Sequence, residues 1–401
     1  MSAIQWTIPK ADALRLREQY RRALFDNILP WWCEHSVDGE CGGFYSCLGR
    51  DGQPYADDKF VWMLGRQIWM LSHLYNQYEA NPRWRDLAQH GASFMLGHAF
   101  REDGKMYFRL RRDGTPLATV LSLYTECFAA IGLAELSKAA RDDSLWERAV
   151  SMYDRILPRL GQPSDTAHLG YPLKAEFHLH AHDMLRLANA WVFNEIAPDA
   201  RWEADISLSV ESVLKRHWKP DLGVLLENVA PDGSAILDLP EGRMVHPGHA
   251  IESAWMLMEV ARKRNDEPLM HTAIDITLKS LERGWDEAFG GIRYLLNLDG
   301  TPTHPLEADV KLWWPHGEAL YALLQAWGYT GRHDIRKWYK RVHDYTFDRF
   351  PDPDYGEWFG YLNRDGSPVF TAKGNGWKGF FHLPRVLLRG YQLVCDAVQG
   401  D

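Results

Sequence analysis

Along most of this chain apolar residues recur every three to four positions, the spacing of one buried helix face. These runs fall near 11–36, 60–80, 84–100, 119–139, 142–160, 176–195, 199–217, 246–265, 267–284, 311–329, 332–349 and 381–396. Ahead of alternate runs the period drops to two, and five such stretches end in Asp-Gly: Asp51-Gly52, Asp113-Gly114, Asp232-Gly233, Asp299-Gly300 and Asp365-Gly366. Seven residues before each Asp stands an apolar residue (Phe44, Met106, Leu225, Ile292, Trp358), and three before it an aliphatic one (Leu48, Leu110, Val229, Leu296, Leu362). Asp-Gly supplies the positive φ angles of a tight turn, so each copy predicts a β-hairpin. Successive Asp residues are 62, 119, 67 and 66 positions apart, and the doubled gap implies a sixth, degenerate unit near Leu169 to Pro172.

Six units of roughly 60 residues, each a hairpin followed by a helix pair, predict a ring. The N-terminal helix would complete the last pair. The fold class expected is all-α, an (α/α)6 barrel with short hairpins at one end, forming a single domain over 1–401. The helix directly after each hairpin would be the inner one. An open solenoid is the rival, but it leaves the first helix without a partner.

A ring brings matched positions to one mouth. Counting from each Asp, Arg66 lies 15 residues on, Glu126 13, His249 17, His316 and Glu318 17 and 19, and His382 17. The degenerate unit offers His178, His180 and His182. Ionisable groups at the start of one inner helix after another suggest a polar cavity rather than a core.

Composition changes this picture little. The net charge of −9 gives no reason to expect nucleic acid or an anionic membrane, and no apolar run suits a spanning helix or a secretory signal. Five cysteines without metal-knuckle spacing suggest reduced thiols and a cytoplasmic location. The 18 tryptophans matter more, because aromatic faces beside polar groups suit sugar rings.

His249 and His382, with Glu252 and Glu318 as carboxylate partners, form a candidate acid/base pair, and Arg66 a candidate holder of an enolate oxygen. Gly374 to Gly379 spells GxGxxG, but no parallel-sheet unit surrounds it. His178 and His182 would share a helix face, yet no third metal ligand is evident. Glu252 and Glu318 also match the paired carboxylates of an inverting glycosidase. A pure binding module would leave the polar interior without purpose.

Four segments in order, Gly42–Arg50 with Phe60–Gln67, Pro247–Glu252, Lys311–Glu318 with Tyr355–Gly366, and Lys378–His382, closely resemble the N-acylglucosamine 2-epimerase family, whose animal members are also called renin-binding protein. The resemblance implies an (α/α)6 barrel that inverts C2 of a sugar without a metal. It implies His249 and His382 as the acid/base pair, with Arg66 and Glu318 against the reacting part of the sugar. Arg243, Glu252, His180 and Trp314 follow as further substrate contacts. Animal-type members respond to ATP, which makes ATP a candidate allosteric activator, and a homodimer is expected. Segment 176–184 instead resembles the family's cellobiose epimerases and aldose–ketose isomerases. The expected activity is interconversion of N-acetylglucosamine and N-acetylmannosamine. The alternative is epimerisation or isomerisation of unmodified sugars such as mannose, glucose or cellobiose.

Overall fold

The computed structural model describes residues 7–120, 122–162 and 176–399. The degenerate unit expected near Leu169 to Pro172 lies outside the described residues. Helix α1 is Lys10–Arg21, continued by a π-helical stretch Arg22–Ile28 and a last segment Leu29–His35. Then come α2 Val61–Gln77, α3 Pro82–His98, α4 Ser122–Ala140, α5 Asp143–Ile156, α6 His180–Ile196 and α7 Ala200–Ser212. The set ends with α8 Pro247–Arg264, α9 Glu267–Gly284, α10 Trp313–Thr330, α11 His333–Arg349 and α12 His382–Gln399.

Burial sorts these helices into two rings. Val61 to Leu74 of α2 and Trp313 to Gly328 of α10 are buried without a break, whereas α11 buries only Ile335, Tyr339, Val342, His343 and Thr346. A helix buried all round belongs inside and an amphipathic one on the outer wall. Each even-numbered helix packs on the odd-numbered helix that follows it, and α12 packs on α1. The (α/α)6 barrel is therefore closed by its first helix, as the repeat count requires. The Tyr20 and Tyr339 hydroxyls hydrogen-bond at 2.6 Å across the join, and the Thr7 hydroxyl donates to the Trp327 carbonyl at 2.9 Å.

The hairpin turns differ from expectation in one respect. Only the glycine takes a positive φ, 80° at Gly52 and 94° at Gly114, while the aspartate does not. Asp113 Oδ1 instead accepts the Thr115 N–H at 2.9 Å, and Asp232, Asp299 and Asp365 do the same two residues on. The turn is thus a type I turn with a left-handed glycine behind it, and the aspartate is selected for its cap.

Strand pairs also stitch one repeat to the next. The residues entering an inner helix pair antiparallel with the following repeat: Lys59–Phe60 with Arg109–Leu110, His178–Leu179 with Asn228–Val229, and Lys311–Leu312 with Tyr361–Leu362. Helix α6 accordingly starts at His180, later than the periodicity suggests, because His178 and Leu179 are taken by this pairing. The last repeat closes onto the first where Lys373 N donates to the Leu48 carbonyl at 2.9 Å and Leu48 N donates to the Gly374 carbonyl at 3.2 Å.

The Gly374–Gly379 run is the strap that makes this closure, not a nucleotide loop. A Cβ at Gly376 would lie 2.7 Å from the Phe60 ring, and one at Gly374 2.5 Å from the Ser46 carbonyl.

Three wholly buried lysine–aspartate pairs hold the hairpin bases: Lys59–Asp38 at 2.8 Å, Lys311–Asp286 at 3.4 Å and Lys373–Asp352 at 2.8 Å. Each aspartate also takes an arginine, Arg112, Arg364 and Arg50 respectively. Removing the carboxylate leaves a buried ammonium uncompensated. Asp286→Ala is expected to destabilise the barrel by about 3–5 kcal/mol, read from the urea unfolding midpoint.

Candidate active site

A cavity of about 920 Å³ opens among the N-terminal ends of the inner helices, with Tyr294, Glu307 and Trp377 at its mouth. Its walls are largely aromatic. Trp314, on the first turn of α10, has the His249 ring centroid 5.4 Å away and the His382 centroid 5.2 Å away. The sequence therefore brings its two candidate histidines to one indole, from α8 and α12.

Each imidazole has its own carboxylate. His249 Nδ1 lies 2.9 Å from Glu227 Oε1, and His382 Nδ1 lies 2.8 Å from Glu318 Oε1. Arg385 Nη2 lies 3.3 Å from His382 Nδ1 but donates to the nearer Glu252 and Glu318 oxygens, so Nδ1–H donation to the carboxylate is the tautomer assigned to both rings, and it leaves Nε2 free. The electrostatic surroundings differ in sign. Burial alone depresses both imidazoles, but the Glu227 charge and hydrogen bond lift His249 above its ordinary value. Burial and the charges of Arg385 and Arg66 outweigh Glu252 and push His382 well below its ordinary value. The surroundings thus bias His249 toward its charged form and His382 toward its neutral form.

Arg66 follows Gly65, where α2 and α4 touch so closely that a Cβ would meet the Phe128 carbonyl carbon at 2.7 Å. The Arg66 guanidinium sits over the Phe128 ring at 4.0 Å and the Trp62 ring at 4.7 Å. Among the described residues no carboxylate pairs with it, and burial lowers it to about 9, so it stays cationic at neutral pH. An unpaired cation in an aromatic box is available to an anionic oxygen.

Of the other expected contacts, Glu252 stays at the cavity and Glu318, His180 and Arg243 do not. Glu252 lines the cavity, with Oε1 2.5 Å from Arg385 Nη2. Glu318 is wholly buried behind His382: its Oε1 accepts from Arg385 at 2.6 Å and its Oε2 from Trp255 Nε1 at 2.6 Å. It therefore orients His382 from a second layer instead of meeting the sugar. His180 is also wholly buried, with Nδ1 3.3 Å from Glu227 Oε1 and Nε2 2.8 Å from Ser253 Oγ. Arg243 leaves the cavity for Asp299, 3.3 Å away. Two of the matched-offset groups are structural. Glu126 pairs with Arg159 at 2.6 Å, and His316 accepts the Ile292 N–H at 2.8 Å while its Nδ1 meets the Leu312 carbonyl at 2.6 Å.

Three further groups placed at the site escape the sequence reading. Glu227 occupies the hairpin position five before Asp232, where the other repeats carry Ser46, Phe108, Tyr294 and Gly360. A carboxylate at that repeat-matched place is the signal that marks it. Arg385, one helical turn after His382, bridges Glu252 and Glu318. His246 caps α8, accepting the His249 N–H at 3.3 Å and stacking on its ring at 3.9 Å between centroids.

Glu252 and Glu318 do not face each other across the cavity. Both are tied to one Arg385 nitrogen, which removes the opposed acid and base that a hydrolase needs. Among the described residues, His178, Asp183 and His217 gather ligand atoms within 4.8 Å of one another. His182 is not in that set, because His178 stands on a strand rather than on the helix. Arg216 Nη1 lies 3.3 Å from His178 Nδ1 and can only donate to it, so His178 Nε2 carries the hydrogen given to Asp183. That tautomer leaves no lone pair on Nε2 for a metal.

Residues 43–385 match the family described as N-acylglucosamine 2-epimerase (GlcNAc 2-epimerase). The N-acylglucosamine 2-epimerase of Bos taurus is 37% identical over 369 residues, covering 90% of this chain and 87% of its own.

The chain belongs to the N-acylglucosamine 2-epimerase family.

Its enzymes are epimerases, a class of sugar isomerase. A cellobiose 2-epimerase of Bacteroides fragilis is 26% identical, covering 93% of this chain and 98% of its own. The solved structure of cellobiose 2-epimerase from Bacillus thermoamylovorans B4167 superposes with a TM-score of 0.81 at 18% identity, covering 94% of this chain and 99% of that one, and shares its fold. No helix among the described residues is long and apolar enough to cross a membrane.

Proposed function

We propose that this family member interconverts N-acetylglucosamine and N-acetylmannosamine by moving a proton on and off C2 of the open-chain sugar. The observation that carries the proposal is the pair of imidazoles at one cavity, each held on its own carboxylate and both packed against Trp314. Neutral His382 takes the C2 proton on Nε2, and the C–H electrons pass through the aldehyde to give an enolate. Arg66 holds the enolate oxygen. Charged His249 then gives its Nε2 proton to the other face of C2, and the inverted sugar results. Reversing the roles serves the other epimer. Two bases are needed because a single base returns the proton to the face it left.

The N-acetyl preference is supported by the stronger likeness to N-acylglucosamine than to cellobiose epimerases. The cavity wall supports it too. In the His-bearing segment His178 and His180 turn away, and Ala181, Met184, Leu185 and Ala188 line the cavity. That surface suits an acetamide methyl. The five free cysteines fit a reducing, cytoplasmic setting.

Incubation with N-acetylglucosamine in heavy water tests the reaction. The N-acetylmannosamine formed is expected to carry deuterium at C2. Product without label, or no product, overturns the proposal.

A further inference from the structure

We infer that Lys378 is a positioning residue for the catalytic centre, locking the strap that seats Phe381 and His382. The last repeat differs from its siblings here. In the first and fifth repeats the staking lysine, Lys59 or Lys311, stands two residues before its inner helix. In the last repeat Lys373 makes the equivalent pair, and an extra stretch, 374–381, intervenes before His382 opens α12. A strap of that length needs a fixing point of its own, since its end sets the first turn of α12.

Lys378 supplies it. The side chain is almost wholly buried, and its ammonium donates to Glu357 Oε2 through a short contact and to the Lys373 carbonyl at 2.8 Å. One group thereby ties the middle of the strap both to its own beginning and to the neighbouring loop. The rings of Trp313 and Trp32 cover it at 5.6 and 5.9 Å, and a Cβ on Gly360 would lie 2.6 Å from its Cδ. Glu357 is equally fixed. It is one of few non-glycine residues with a positive φ, 55°, and its N–H donates to Asn27 Oδ1 at 2.6 Å. Its Oε2 also accepts the Trp358 N–H at 2.7 Å. Backbone strain held by this many contacts marks a place where position matters.

The strap reaches the chemistry at both faces. Gly376 accepts the Trp62 indole N–H at 2.8 Å, and Trp377 packs edge-on against Trp62 at 5.0 Å. Phe381 contributes a wall of the Arg66 box at 5.1 Å and packs edge-on against His382 at 5.2 Å. A shift of about 1 Å in this junction moves His382 Nε2 and the Arg66 box together, enough to cost about 10²-fold in rate. Lys378 does not line the cavity, so the effect falls on turnover more than on sugar binding.

The inference rests on His382 being catalytic. The test uses Lys378→Met, which keeps the stem and removes the charge, and Glu357→Gln, which keeps the shape. In the folded fraction of each, measured by circular dichroism, kcat is expected to fall at least about tenfold with KM changed less than about threefold. Deuterium entry at C2 should fall in step. Folded Lys378→Met with wild-type kcat overturns the inference. Should that variant fail to fold, unchanged kcat in folded Glu357→Gln overturns it instead. Wild-type labelling at C2 tests the epimerase reading separately, so a loss confined to these variants speaks to Lys378 alone.

Discussion

Replacing His249 or His382 by alanine is expected to lower kcat by about 10²–10⁴-fold, with the barrel intact. Each ring sits at the cavity edge of a helix whose packing it does not carry. Both rings pack against Trp314, at 5.4 and 5.2 Å between centroids, and in the proposed reaction each serves its own face of C2. The two variants should also differ from each other. With His249 gone, His382 still removes a proton from its own face and returns one from solvent. That variant should wash deuterium into one epimer without inverting it, and His382→Ala should do so with the other. Proton and carbon NMR in heavy water distinguish the cases. Full turnover in either variant removes that histidine from the mechanism.

Glu227→Gln should be the next most damaging change, about 10²-fold or more in kcat, by the reasoning that applies to any carboxylate orienting a catalytic imidazole. The carboxylate is held ionised: burial opposes its charge, but His249 and two imidazole hydrogen bonds keep it well below the ordinary carboxylate range. An amide there no longer lifts His249, and its N–H₂ favours the wrong tautomer. The sign follows directly. His249 acts as a donor only while protonated, and a lower His249 pKa moves the alkaline fall in kcat to lower pH. A kcat–pH profile that keeps its alkaline limb in place would show that Glu227 does not set His249.

Much of this was legible in the sequence, and the reason is repetition. Five Asp-Gly turns, with one gap about twice the other three, imply six units, and twelve helical runs give the two rings and the closing role of α1. The matched offsets pointed to the right end of the barrel, yet they could not separate His249 and His382 from His316. A helix position says which end of the ring a residue occupies. It does not say whether the side chain turns toward the bore or, like His316, toward the Ile292 backbone. The carboxylates show the same limit. Glu252 and Glu318 are one helical face apart from the histidines in sequence logic, but Arg385 gathers both beside His382, and His249 draws its partner from a hairpin. The buried lysine–aspartate stakes were invisible, because a lysine in an apolar run looks like an interruption until its aspartate from another loop arrives.

Closure of the barrel by α1 has a consequence for biosynthesis. Leu16, Tyr20 and Leu24 are buried along this helix, which packs on α12, the last of the described helices to be synthesised. At about 5–20 residues per second, that greasy stripe stays without its mate for tens of seconds. The nascent chain must tolerate this wait as an open horseshoe, its first helix exposed to any other sticky surface nearby, until the arrival of α12 shuts the circle.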